Sequence, residues 1–272
     1  MSFYDSLADL PKHFANGDLI NSHIIASLSS VFPDGEDFFV RSVRHFRDQI
    51  TDPVLKRQVA GFIGQEAIHG REHRAFNDRL HELGYPTKKL EQITKRTLAF
   101  RERHMSPTAN LATTAALEHF TATLAEILLR DEDARELIGS PAVTDVFLWH
   151  AFEECEHKAV AFDVYKAVGG SERTRRWTMN FICFSFIGGM SLQTLLTILR
   201  DRDTYRRDRL IPSLRQLRHT PFLRRSVWHK LRDFNRPDFH PDDHETNDLL
   251  AEWQERLFGP NGELTTYLAG TA

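Results

Sequence analysis

The apolar residues in the first 170 positions recur at intervals of three and four, the spacing that places side chains on one face of an α-helix. Glycine and proline are sparse in this part of the chain, and no strand-like alternation competes with the helical spacing. Gly84 and Pro86 are expected to end one helix, and Ser140 followed by Pro141 opens another. The pattern predicts helices over residues 18–31, 36–50, 52–83, 87–104, 108–130 and 140–169.

Four of these helices are long, and the charged amphipathic helix over residues 87–104 is expected to connect two of them across the molecule. The pattern therefore predicts an all-α fold, with a four-helix bundle and a crossover helix in residues 1–170. Residues 171–272 are predicted to form a helical extension that packs on this bundle.

Residues 179–199 contain no charged side chain and approach the roughly 20 residues that span a bilayer. Polar residues and the pair Gly188-Gly189 interrupt the run, so we favour a buried helix packed against the bundle. The alternative is a membrane-surface element over residues 173–210, because arginine-rich segments flank the apolar run on both sides. In that case a lipid-like substrate would reach the protein from the membrane side.

Glutamate and histidine interrupt the apolar face of the helix predicted over residues 52–83. Glu66, His69 and His73 lie on one stripe with Phe62 and Phe76. These polar side chains are therefore expected to be buried. A buried carboxylate costs several kcal/mol unless it is paired or bound to a metal ion, so the stripe predicts a metal site.

The helix predicted over residues 140–169 repeats this arrangement with Glu154 and His157. A single Glu-x-x-His pair is more often a solvated ion-pair partner than a ligand. Two such pairs, with one glutamate from each of two further helices, form the dinuclear metal site of some four-helix bundles. Glu36 and Glu118 lie on the apolar stripes of the other two long helices. The combined pattern predicts two metal ions held by Glu36, Glu66, His69, Glu118, Glu154 and His157.

Three further residues compete for roles near this site. His73 lies one turn beyond His69 and is expected either to bind a metal or to hold a ligand by a hydrogen bond. His119 lies about 100° around the helix from Glu118, which favours a supporting or packing role over metal binding. Glu153 is spaced to contact both His150 and His157 on the same helix. Glu154, however, stands three residues before His157, as Glu66 stands before His69, so we expect Glu154 to bind the metal and Glu153 to support a ligand.

At these residues the chain resembles the ferritin-like dinuclear carboxylate proteins, which implies a ferritin-like bundle. More specifically, four segments look like a family of bacterial proteins described as predicted metal-dependent hydrolases: FPDGEDFFVRSVRHF, GFIGQEAIHGREHRAFN, ALEHFTA and WHAFEECEHKAVAFDVY. The resemblance covers roughly residues 10–260, and it implies a metal-dependent activity.

A second resemblance is narrower. The spacing His150-x3-Glu154-x2-His157 is similar to that of di-iron arylamine N-oxygenases, which add one histidine to the usual four carboxylates and two histidines. Carried over onto this chain, the resemblance adds His150 and implies seven ligands: Glu36, Glu66, His69, Glu118, His150, Glu154 and His157.

Carboxylate and imidazole ligands suit iron first and manganese second, whereas structural zinc sites more often recruit thiolates. By analogy with di-iron bundles, we expect an O2-dependent oxidoreductase or oxygenase that acts on a small organic or lipophilic substrate and receives electrons from a donor. The alternative is a metal-dependent hydrolase that uses a metal-activated water. A non-catalytic iron-binding protein is the third hypothesis.

Composition and charge change this picture little. The chain has 272 residues, 41% of them hydrophobic and 27% charged, and its net charge of -3 gives no reason to expect nucleic acid as a partner. Two cysteines cannot form a disulfide framework, and the N-terminus lacks the basic start and apolar run of a secretory signal. We therefore expect a cytoplasmic protein, with membrane association and homo-oligomer formation left open.

Overall fold

The computed structural model describes residues 1–268, which contain α-helices and no β-strand. The predicted all-α fold is thereby confirmed, although residues 269–272 of the predicted extension lie outside the described part. The α-helices are α1 Leu19–Ser29, α2 Phe32–Arg44, α3 Pro53–Glu82, α4 Thr87–His104, α5 Pro107–Arg130, α6 Glu132–Glu136, α7 Pro141–His157, α8 Val160–Ala167, α9 Glu172–Arg200, α10 Arg207–Leu217, α11 Arg225–Asp233 and α12 Asn247–Phe258.

Three of the long helices, α3, α5 and α7, begin at a proline that follows an aspartate or a serine. The side chains of Asp52 and Ser106 accept hydrogen bonds from backbone N–H groups of the first turn. Proline suits the first position because its missing N–H would have no partner there. At the other end of α3, Gly84 has a φ of 96°, which favours glycine and ends the helix as predicted.

Two predicted helices have different bounds in the structure. α2 begins at Phe32 instead of residue 36, because Pro33 lies in the first turn, where no N–H is needed, and it ends at Arg44 instead of residue 50. The helix predicted over residues 140–169 is divided into α7 and α8. Between them the buried Lys158 donates hydrogen bonds to the His244 carbonyl and the Thr246 hydroxyl, which hold this point of the chain against the extension.

The bundle consists of α2, α3, α5 and α7. Both α2 and α7 pack against α3 and α5, while α4 lies against α2 and α3. Two hydrophobic clusters fill the interior, and Phe62 of α3 belongs to one while Phe76 belongs to the other. Glu66, His69 and His73 therefore lie between two apolar cores.

α9 packs against α1 and α5, but it is not the buried helix that we favoured. Its buried residues are Arg175, Thr178, Met179, Ile182, Thr194 and Thr197. The exposed side carries Trp177, Phe181, Phe184, Leu192, Leu195, Leu196 and Leu199. Prediction failed here because an apolar composition does not reveal which face of a helix meets the bundle. Among residues 1–268, α9 is the one helix long and apolar enough to cross a membrane, by length and composition alone.

The carboxylate of Asp201, directly after α9, joins three parts of the chain. It accepts hydrogen bonds from Lys12 Nζ at 2.7 Å, from His23 Nε2 at 3.1 Å and from the backbone N–H of Asp203 at 3.0 Å. Burial opposes the ionisation of Asp201, but these hydrogen bonds hold its pKa at about 2. The ionised form therefore anchors the end of α9 to α1 and to the N-terminal segment.

Replacing Asp201 with asparagine is expected to lower the free energy of unfolding by about 1–3 kcal/mol at neutral pH, because Lys12 and His23 lose their charged partner. This stabilisation requires Asp201 to be ionised. It is therefore present above the ordinary aspartate pKa of about 4 and is lost as the pH falls through the folded-state value of about 2. Urea denaturation of both proteins at neutral and acidic pH measures the difference, and a difference that does not shrink in acid would contradict this account.

Candidate metal centre

Each of the four bundle helices brings one glutamate to a common centre. Glu36 comes from α2, Glu66 from α3, Glu118 from α5 and Glu154 from α7, and each is at most 2% exposed. The structure thus brings together the four carboxylates that the apolar stripes singled out.

His157 lies among these carboxylates. Its Nε2 is 3.0 Å from Glu66 Oε1 and 3.5 Å from Glu118 Oε2, while its Nδ1 is 3.0 Å from Gln65 Oε1. The Gln65 amide nitrogen donates to Glu156, so the amide oxygen is the atom left to face His157. Because that oxygen only accepts, Nδ1 of His157 carries the proton and the lone pair of Nε2 points to the centre in the neutral ring.

His150 is oriented by a chain of hydrogen bonds that reaches α1. The Ser29 hydroxyl donates to Asn77 Oδ1 at 2.7 Å, so it accepts from His73 Nδ1 at 2.9 Å. His73 Nε2 then has no proton and accepts from His150 Nδ1 at 2.6 Å. Both nitrogens of His73 are used in this chain, which places His73 behind His150. The lone pair of His150 Nε2 is left for the centre, where that atom lies 2.9 Å from Glu154 Oε1.

His69 has a carboxylate behind it. Its Nε2 lies 2.9 Å from Glu153 Oε2, and the other oxygen of Glu153 accepts a hydrogen bond from Trp149 Nε1 at 2.8 Å. The Nδ1 of His69 faces the centre, 3.8 Å from Glu66 Oε1. Glu153 therefore supports a histidine from outside the centre, a position that is common for the partners of metal-binding imidazoles.

Eight buried atoms at this centre make no hydrogen bond of good geometry among residues 1–268, although two of them, His157 Nε2 and Glu66 Oε1, lie 3.0 Å apart. The eight are both carboxylate oxygens of Glu36, Glu66 and Glu118, the Nδ1 of His69 and the Nε2 of His157. A buried carboxylate without compensation costs several kcal/mol, and buried polar groups in folded proteins are nearly always paired. All eight are atoms that bind cations. The donor set therefore fits metal ions.

The electrostatics of the centre point the same way. Burial raises the pKa of Glu36 well above its usual range, and the Glu66 and Glu154 carboxylates raise it further. Burial also raises the pKa of Glu118, with the same two carboxylates as the next causes. Burial opposes the ionisation of Glu154 as well, but the neighbouring imidazoles of His150 and His157 lower its pKa well below the usual range. Without a cation, mutual repulsion keeps these groups from ionising together.

Three overlapping groups in the centre have ligand atoms within 4.8 Å of one another: Glu36 with His69 and His150, Glu66 with His69 and Glu154, and Glu66 with Glu118 and His157. A fourth group of this kind, His13 with Asp201 and Asp203, lies elsewhere. There the Lys12 ammonium is 2.7 Å from Asp201 and 3.6 Å from Asp203, so a lysine already supplies the positive charge.

His119 does not lie among the carboxylates of the centre. Its Nε2 hydrogen-bonds the Lys230 carbonyl at 2.9 Å, and its ring packs against Phe234 and Phe239. The turn of α5 that points Glu118 inward points His119 toward the extension, as the angle between successive helical residues requires. His119 is a packing residue.

A family model described as "Predicted metal-dependent hydrolase" matches residues 2–245. The chain belongs to this family. The match confirms the resemblance that the sequence motifs carry, and the family description agrees with the buried groups of glutamate and histidine. No curated protein and no solved structure matches the chain significantly.

In this member of the predicted metal-dependent hydrolases, three supporting residues escaped the sequence analysis. The Thr121 hydroxyl donates to Glu154 Oε2, and Thr121 lies three residues after Glu118, a spacing that could have indicated it. Gln65 and Ser29 gave no such signal. Gln65 lies off the stripe of α3, and Ser29 belongs to α1, which carries no ligand pattern.

Replacing Glu118 with glutamine is expected to raise the stability of the metal-free protein and to weaken metal binding. Burial raises the pKa of the Glu118 carboxyl, which makes it unfavourable in the metal-free fold at neutral pH; the amide removes this cost but also removes a ligand. Glu126, two turns later on α5, is the matched control, because it is also buried but accepts hydrogen bonds from Lys230 and Arg130. Glu126→Gln should therefore lower stability. Thermal unfolding with and without metal measures the stability and the metal binding of both variants. Shifts of the unfolding temperature in the same direction for the two metal-free variants would contradict the prediction.

Replacing His73 with alanine is expected to weaken metal affinity about 10–100-fold, because His150 loses the acceptor that orients it. His119→Ala is the matched control: it removes another buried histidine of the bundle without touching the centre. Competition with a coloured chelator measures both affinities. Equal affinities of the two variants would show that His73 does not support the site.

Proposed function

We propose that the protein binds two metal ions between α2, α3, α5 and α7. The eight buried ligand atoms without hydrogen-bond partners carry this proposal. Two of the groups, Glu36 with His69 and His150 and Glu66 with Glu118 and His157, share no residue, which favours two ions over one. The proposed ligands are the seven predicted ones, Glu36, Glu66, His69, Glu118, His150, Glu154 and His157, arranged as in ferritin-like dinuclear bundles.

The donor atoms favour iron or manganese. They are carboxylate oxygens and imidazole nitrogens, and no cysteine of residues 1–268 belongs to these groups. Such hard and intermediate donors suit iron and manganese, whereas zinc sites with a structural role usually include thiolates. Burial of Cys155 raises the pKa of its thiol to about 12, which keeps that side chain protonated.

We propose hydrolysis as the reaction, because the family description supports it over the O2-dependent oxidation that the ligand pattern first suggested. When bound, two redox-inert ions would supply a Lewis acid and an activated water, whereas two irons would also supply electrons to O2. The protein contributes a buried surrounding that is partly aromatic. Aromatic rings pack against two of the imidazoles. The ring centroid of Phe62 lies 5.0 Å from that of His157, and the ring centroid of Trp149 lies 4.9 Å from that of His69.

O2-dependent oxidation is the second candidate, and the enclosure of the centre favours it. The proposed ligands are at most 4% exposed, so a small reactant reaches them more readily than a large one. A cavity of about 570 Å³ lies between α2, α3 and α4, but none of the seven proposed ligands lines it. Its lining is charged, with Arg41, Arg74 and Glu91 among its residues.

Reconstitution of the metal-free protein separates these activities. Protein loaded with Zn(II) or Mn(II) under nitrogen is assayed on model esters, amides and phosphate esters, and protein loaded with Fe(II) is then exposed to air. The proposal predicts hydrolysis without O2. It also predicts that Glu66→Gln loses more activity than the about 10–100-fold typical of residues behind a ligand.

O2 consumption by the Fe(II) protein, with no hydrolysis by any metal form, would replace the first candidate with the second. Uptake of far more than two irons per chain would replace both with iron storage. Glu126→Gln is the control variant in each assay, because its carboxylate pairs with Lys230 and Arg130 outside the centre.

A further inference from the structure

α9 carries large apolar side chains on both of its faces, unlike an ordinary surface helix. Toward the bundle it buries Met179 and Ile182 together with Arg175 and the threonines Thr178, Thr194 and Thr197. Toward the outside it presents large apolar side chains, of which Phe184 is 82% exposed. Surface helices of soluble proteins normally bury the apolar stripe and expose the polar one. The outer face of α9 therefore fits a non-aqueous partner.

The polar contacts of α9 fix this orientation. Arg175 donates hydrogen bonds to the carbonyls of Phe234 and Arg236, and its guanidinium lies over the rings of Phe162 and Phe234. Toward the other end, Thr197 is 3.0 Å from His23 Nδ1. Rotating α9 to bury its outer apolar side would break these contacts between Arg175, Thr197 and the rest of the chain. The exposure of the apolar face is thus built into the packing.

Unpaired arginines stand at both ends of this face. Arg173 lies near its start, and Arg200, Arg202, Arg207 and Arg209 follow its end, all of them exposed. The salt bridges of residues 1–268 include none of these five side chains. The surrounding region is strongly basic. Residues 172–236 hold 15 lysines and arginines against 5 aspartates and glutamates, a charge of +10, so the rest of the chain carries -13 of the total of -3.

A second copy of the chain is a poor partner for this face. In a two-fold dimer the same patch meets itself, so α9 would pair either parallel or antiparallel to its copy. Both arrangements bring unpaired arginines against unpaired arginines, because both ends of the face are cationic. Like charges across an interface disfavour association. An anionic surface instead supplies the complementary charge at both ends.

We propose that the outer face of α9 binds the surface of an anionic phospholipid bilayer. The helix, about 44 Å long, lies in the plane of the membrane. Trp177, Phe181 and Phe184 enter the boundary between headgroups and acyl chains at one end, and the leucines Leu192 to Leu199 enter it at the other. The arginines at both ends contact lipid phosphates. This proposal goes beyond the metal centre and does not depend on it.

Flotation of the full-length protein with vesicles tests the proposal. The vesicles contain either phosphatidylcholine alone or an equal mixture of phosphatidylcholine and phosphatidylglycerol. We expect binding to the mixed vesicles that falls as salt is added, and much weaker binding to phosphatidylcholine alone. Phe184→Glu should weaken binding at least about tenfold, because a charge would enter the apolar boundary. The matched control is Phe100→Glu on α4, because Phe100 is likewise exposed, at 65%, but lies outside the face. This variant should bind like the unchanged protein.

Absence of binding to the mixed vesicles, or equal loss in both variants, would overturn the proposal. Sedimentation of the lipid-free protein provides a second measurement. A dimer that Phe184→Glu dissociates and Phe100→Glu preserves would assign the face to a second copy and would also overturn it. Neither measurement requires metal, so failure here leaves the proposed metal centre untouched, and failure of metal binding leaves the vesicle result untouched.

Discussion

The repulsion and desolvation of four buried carboxylates constrain the whole bundle. α2, α3, α5 and α7 each place one glutamate between two apolar cores, and three of these glutamates have no hydrogen-bond partner among the described residues. Burying such charges costs several kcal/mol per ion unless a cation or a donor compensates. His150 and His157 of α7 compensate Glu154, and His157 also lies near Glu66 and Glu118, but burial still raises the pKa of Glu36, Glu66 and Glu118. A bound cation would therefore compensate the buried carboxylates that the packing of the four helices brings together.

The residues around the centre serve this same requirement. Ser29 and His73 orient one histidine, Glu153 orients a second and Gln65 orients a third. In each neutral ring, the nitrogen that faces inward carries the lone pair that a metal ion would use. These supports come from α1, α3 and α7, so the geometry of the ligands depends in part on α1, which carries no ligand itself. Membership of the predicted metal-dependent hydrolases agrees with such a prepared site.

The centre was predictable from sequence because its residues repeat at three and four positions on apolar stripes, a local signal. The same periodicity predicted the long helices, and Gly84 with Pro86 predicted the end of α3. Features set by distant contacts were not predictable. The break after α7 depends on Lys158 reaching residues 244–246, and the orientation of α9 depends on Arg175 reaching Phe234 and Arg236. Composition alone suggested that α9 was buried, whereas its polar contacts decide which face is exposed.

Anomalous X-ray scattering from crystals of the iron-loaded protein tests the central claim most directly. The account predicts two peaks inside the bundle, one near Glu36 and His150 and one near Glu118 and His157, with Glu66 and Glu154 close to both. No peak at the centre, a single peak, or peaks beside His13, Asp201 and Asp203 instead, would contradict it.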